Sequence, residues 1–237
     1  MSSLLKAIRL DQRIMRSLYK VFVLMLAVGL LVCVVTGSAV AAIVLVTLLT
    51  APVGGTYFAV VEGSHLDQLF GTLPLKRSAA EAAIYIHTMM IVAINGLLAT
   101  VLFWRVAILQ HNSVAGGDLA ATFALSFLAA CLYIGLLFPL YLAVPFSKVY
   151  ILSNVPLYVG GVAVMFVIRR TDWRTNLTGV IDFYRDHAVA APALTIAAGL
   201  ALLAISWGVA HVTASARGRW AAAVSRLPSV SIARFNR

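Results

Sequence analysis

The sequence predicts an all-α integral membrane protein. It has six transmembrane helices, an amphipathic N-terminal helix on the membrane surface, and a short cytoplasmic helix between spans two and three. Three observations predict this. First, 62 % of the 237 residues are hydrophobic and 11 % are charged, against roughly 25 % charged in an ordinary soluble domain. So few charges cannot cover a water-facing surface, and most of the surface must face lipid. Second, the apolar runs are continuous, without the two-residue alternation of a barrel strand. A spanning helix takes about 20 apolar residues, so the chain accommodates roughly five to seven of them. Third, the basic residues collect between alternate runs, as a multi-pass topology requires.

The first element is residues 1–18. At about 100° per residue, Leu4, Ile8, Ile14, Met15, Leu18 and Tyr19 fall on one side, and Lys6, Arg9, Arg13, Arg16 and Lys20 on the other. This is the pattern of a basic amphipathic helix lying on the inner membrane surface. Asp11 sits out of place within the apolar arc. No cleavable signal is expected, because no A-x-A-like site follows the first apolar run.

Six spans follow: about Tyr19–Thr36, Ala39–Val61, Ala82–Phe103, Leu119–Leu142, Val149–Ile168 and Ala191–Thr213. With the N-terminus inside, 13 of the 18 basic residues fall in inside segments. Both termini are therefore expected in the cytoplasm of a plasma-membrane protein. The segment 169–190 becomes an extracellular loop, and 214–237 a basic cytoplasmic tail. The whole chain, 1–237, forms one membrane domain, since no repeat or low-complexity linker divides it. The net charge of +10 is assigned to membrane lipid and topology, not to nucleic acid. Cys33 and Cys131 lie inside apolar runs and read as packing residues.

The polar island Glu62–Glu81, "EGSHLDQLFGTLPLKRSAAE", interrupts this pattern. Ser64 and Asp67 have the spacing of a capping box, and Leu66, Leu69 and Phe70 follow as an apolar edge. Gly71 supplies a stop and Pro74 prevents resumption. Lys76 and Arg77 lie at headgroup level, and Ser78 and Glu81 form a second capping box that opens the third span. The expectation is a short transverse helix, a rigid elbow and a newly capped membrane helix.

The residues Phe58, Glu62, Leu66, Asp67, Leu69, Thr72, Leu73, Pro74, Leu75, Lys76, Arg77 and Tyr85 resemble a motif of permease subunits of bacterial ABC-2 type exporters. Pro139, Leu140 and Tyr141 near the fourth span are similar to another of their elements. The resemblance implies that 62–81 is a cytoplasmic coupling segment containing a coupling helix. Glu62, Ser64, Leu66, Asp67, Leu69, Phe70, Pro74, Lys76 and Arg77 would dock on an ABC ATPase subunit, present in two copies. It also implies a second permease subunit, identical or related. No G-x-x-x-x-G-K-[ST] occurs, so the chain cannot cradle nucleotide phosphates in a P-loop. ATP and Mg would sit on the partner, with no cofactor or metal on this chain.

Other chemistries are weighed against this. An intramembrane enzyme needs clustered acids, a Ser/His pair or metal ligands at membrane depth. The five histidines, His65, His87, His111, His187 and His211, show no such pattern. An ion-coupled carrier calls for midplane charges, which the spans lack. Pro52, Gly54, Gly55, Pro139, Asn154 and Pro156 interrupt spans, and with Asn95 they are the candidate hinges or pathway residues. Polar groups are otherwise sparse: Thr47, Thr50, Thr100, Thr122 and Ser126. So apolar a conduit favours hydrophobic or amphipathic cargo, peptide first and lipid or drug second. Together these readings describe an exporter subunit without enzymatic activity of its own.

Overall fold

A computed structural model describes residues 8, 10, 12, 16–63, 77–111, 115–144, 146–147, 149, 183–184 and 186–225. A short 3-10 turn, Arg16–Leu18, leads into α1 (Tyr19–Thr36). It is followed by α2 (Ala39–Gly63), α3 (Arg77–Leu109), α4 (Gly116–Ala143) and α5 (Ala190–Ser225). Ile8, Leu10 and Gln12 of the N-terminal segment are helical.

Each reversal has a local cause. α1 ends at Gly37, whose φ of 65° lies in the left-handed region that a side chain disfavours. The next residue, Ser38, accepts a 3.2 Å hydrogen bond at Oγ from the Ala41 N–H. That satisfies one of the orphan donors at the start of α2. Two residues therefore turn the chain between the first two helices.

Five helices among the described residues are long and apolar enough to cross a membrane. This corrects the expectation of six. Of the run assigned to the sixth, Val149–Ile168, all but Val149 lies outside the described residues. The short coupling helix is corrected too: among the described residues, which leave α2 at Gly63 and resume with α3 at Arg77, no coupling helix is seen. Ser64, Leu66, Asp67, Leu69, Phe70, Pro74 and Lys76 lie outside the described residues, as do Asn154 and Pro156. The third span is also longer than expected. It begins at Arg77, so Ser78 falls within the first turn and is not its N-cap.

Side-chain contacts give the helix directions. Gly54 packs on Thr88 while Gly96 approaches Thr47, and Gly96 packs on Phe123 while Tyr85 meets Phe138, so α2, α3 and α4 alternate in direction. α4 and α5 do not. Gly199 packs on Cys131, and Gly135 packs on Ser206, a parallel register. The chain between α4 and α5 therefore joins opposite ends of the bundle. As a result, the start of α1 and the far end of α5 lie at the same end as the start of α3.

The core has two parts. Toward the α3 start it is aromatic, with Phe58, Tyr85, Phe138, Tyr141 and Phe146 buried together. Toward the α1–α2 turn it is made of small and compact side chains, among them Cys33, Ala39, Ala42, Val46 and Ala99, with Phe103 between them. Both cysteines are free and fully buried. The outer face carries Val23, Leu24, Leu31, Leu97, Val101, Leu136 and Ile205, all exposed. In water such a surface would aggregate, whereas in lipid it costs nothing.

Candidate functional site

The polar chemistry concentrates at the end of the bundle where α2 finishes and α3 begins. Its construction starts from a proline. Pro139 lies inside α4 and has no N–H to give to the carbonyl four residues back, that of Gly135. The Ser206 hydroxyl of α5 donates to that carbonyl at 2.7 Å. Ser206 Oγ also shares a 3.1 Å hydrogen bond with the Tyr85 hydroxyl of α3. A break in one helix is thus repaired by a second and tied to a third, as apolar surroundings demand.

Around this tie the aromatic rings meet. Phe58 of α2 stacks edge-on against Phe138 of α4 at 5.2 Å, and Tyr85 meets the same ring at 5.2 Å. Tyr141 joins Phe58 at 5.3 Å and Phe146 at 5.0 Å. Such pairs contribute about 0.5–1.5 kcal/mol each beyond their buried area. They hold three helices and the segment just past α4 in one block.

Two carboxylates close the block. Glu62, in the last turn of α2, accepts from the Ser147 hydroxyl at 2.5 Å and from the Ser147 N–H at 3.1 Å. Glu81, buried in the second turn of α3, bonds His211 Nδ1 of α5 at 3.1 Å. Trp207 stacks on that imidazole at 6.1 Å. The two ends that flank residues 64–76 are therefore anchored to different partners, one to the exit of α4 and the other to α5.

The candidate hinge residues divide into groups. Pro52 lies within an unbroken α2. A Cβ on Gly54 would sit 2.4 Å from Thr88 Cγ2, and one on Gly55 3.3 Å from Tyr141 Cε2. Both glycines thus allow close approach of neighbouring helices. Most span hydroxyls are satisfied on their own helix: Thr50 on the Val46 carbonyl, Thr100 on Gly96, Thr122 on Asp118 and Ser126 on Thr122. They line nothing. Thr47 Oγ1 and Asn95 Nδ2 differ, being buried without a hydrogen-bond partner among the described residues. Asn95 lines a cavity of about 310 Å³ between α1 and α3.

Sequence reasoning selected Glu62, Pro139 and Asn95 but missed Ser147, Ser206 and His211. A serine or histidine in an apolar run signals only that some partner exists. Among the described residues no group of three His, Cys, Asp or Glu side chains could hold a metal ion.

Membrane-length helices with lipid-facing exteriors, joined by polar ties at one end, define a multi-pass membrane protein. A model of the family described as "ABC-2 family transporter protein" matches residues 7–213, and the chain belongs to that family. No curated protein and no solved structure matches it. Members of the family are transport subunits, not catalysts, and this chain is a membrane transporter component.

Proposed function

We propose that this chain is the membrane-spanning subunit of an ATP-driven exporter. A separate ATPase subunit, in two copies and carrying ATP and Mg, powers a pair of these permeases in the plasma membrane. The observation that carries the reading is the double anchoring around residues 64–76. An ATPase pressing on Ser64–Arg77 would move the end of α2 and the start of α3. Through Glu62 and Ser147 that motion would reach the exit of α4, and through Glu81 and His211 it would reach α5. Family membership supports the same reading. The same-end placement of the start of α1 and the end of α5 favours both termini in the cytoplasm. The apolar walls favour hydrophobic or amphipathic cargo, with peptide as the first class and lipid or drug the second.

The test is purification in mild detergent followed by reconstitution. An ATPase should co-purify, and an amphipathic peptide should stimulate hydrolysis more than a sugar does. Glu62→Ala, Asp67→Ala and Leu69→Ala should reach the membrane in normal amounts yet lose export. Wild-type export by all three variants would remove the coupling role. Failure to find any ATPase partner would remove the exporter reading itself.

A further inference from the structure

The cavity between α1 and α3 has an ordered polarity. One end is lined by Gln12 and His87, the middle by Tyr19 and Asn95, and the far end by Leu26 and Leu98. Its volume of about 310 Å³ is at the lower bound for small-ligand pockets, which combine apolar walls with a few placed polar groups. The helix register gives the depth of each group. Gly29 packs on Phe103, and the Val34 carbonyl meets Gln110 Nε2 at 3.5 Å. This parallel offset puts Asn95 level with Tyr19 and Lys20.

Asn95 is 6 % exposed, and its Nδ2 has no partner among the described residues. A buried amide donor left unanswered is costly, which makes it a place to expect an acceptor. Arg16 and Lys20 are both exposed and flank the lining residue Tyr19 in sequence. Two cations therefore stand beside the polar half of the groove, an N–H donor lies level with Lys20, and an apolar slot runs beyond. Anionic phosphate, ester carbonyl acceptor and acyl chain are the corresponding groups of a glycerophospholipid.

We propose that this groove binds one anionic glycerophospholipid. Its headgroup lies at Arg16 and Lys20, an ester carbonyl accepts from Asn95 Nδ2, and an acyl chain lies along Phe22, Leu26 and Leu98. Basic groups at a membrane surface select anionic over zwitterionic lipid. A second copy of the chain fits less well. A two-fold pair through this face would bring a second Arg16 and Lys20 to the same groove and would leave the Asn95 amide without an acceptor.

The test uses the purified full chain in zwitterionic nanodiscs, with no ATPase present, so it stands apart from the exporter reading. Phosphatidylglycerol bearing a diazirine on its acyl chain is photolysed, and the adducts are mapped by mass spectrometry. Adducts are expected on residues 22–26 and 90–98, and unlabelled phosphatidylglycerol should compete better than phosphatidylcholine. Asn95→Leu should weaken retention about five- to tenfold, the worth of one hydrogen bond. Arg16→Gln with Lys20→Gln should abolish the preference for the anionic headgroup. Adducts elsewhere, or equal competition by the two lipids, would overturn the proposal, and the wild-type mapping decides this even if a variant misfolds. A Val23→Cys chain that cross-links to its own copy and so loses the label would overturn it as well, in favour of a dimer interface.

Discussion

The Ser206 hydroxyl of α5 donates a 2.7 Å hydrogen bond to the Gly135 carbonyl of α4, a carbonyl that Pro139 leaves without its intrahelical donor. A helix break is thereby turned into a contact between helices, extended by Tyr85 to α3. The bond links a candidate hinge to the elements that would have to move with it.

Ser206→Ala should cost about 0.6–1.7 kcal/mol, the range for hydrogen bonds between membrane helices. In a Pro139→Ala background position 139 regains its N–H, Gly135 regains a donor, and the same change should cost less. Thermal unfolding of the four chains in detergent measures the coupling. Strict additivity would show that Ser206 does not serve the Gly135 carbonyl.

Glu62 and Ser147 form a pair in which both bonds have a charged acceptor. Ser147→Ala keeps the backbone bond and should cost about 0.5–1.5 kcal/mol, whereas Glu62→Gln should cost about 1.5–3 kcal/mol. The double variant should lose less than the sum. If Ser147→Ala leaves both stability and transport unchanged, the path from α2 to the exit of α4 is not used.

Two glycines make opposite predictions. A Cβ on Gly29 would lie 2.4 Å from Val46 Cγ2 and 2.7 Å from Phe103 Cζ, both fully buried, whereas a Cβ on Gly208 would meet nothing within 4 Å. Gly29→Ala should destabilise by about 1–3 kcal/mol through overpacking. Gly208→Ala should be neutral or stabilise by up to about 1 kcal/mol, since alanine favours the helix. Unfolding midpoints of the two variants settle the contrast.

The charge distribution favours both termini on the inner side. A cysteine at Gly116, exposed with nothing near its Cβ, should react with an impermeant maleimide in intact cells. Cysteines at Ser2 and Phe235 should react only after permeabilisation. The native Cys33 and Cys131 are fully buried and should stay silent. The reverse pattern would invert the orientation.

The sequence alone determined the class of environment and most of the helix positions. Continuous apolar runs and an 11 % charged fraction leave no alternative to lipid, so the expected limits of α1 match the observed Tyr19–Thr36. Composition acts locally, through the cost of exposing a backbone in hydrocarbon. The third span shows where this local signal fails. Polar Ser78 and Glu81 looked like a helix boundary, yet α3 includes both, and Glu81 has a partner on α5 in His211. Of the six expected spans five are present among the described residues, and the run Val149–Ile168 lies outside them except for Val149. Only the tertiary structure decided the partners. It ran α4 parallel to α5 and set Ser206 against the carbonyl freed by Pro139, Ser147 against Glu62, and His211 against Glu81. Those pairings join residues 71, 85 and 130 positions apart, and they depend on how helices rotate and pack against one another, which no single helix's pattern encodes.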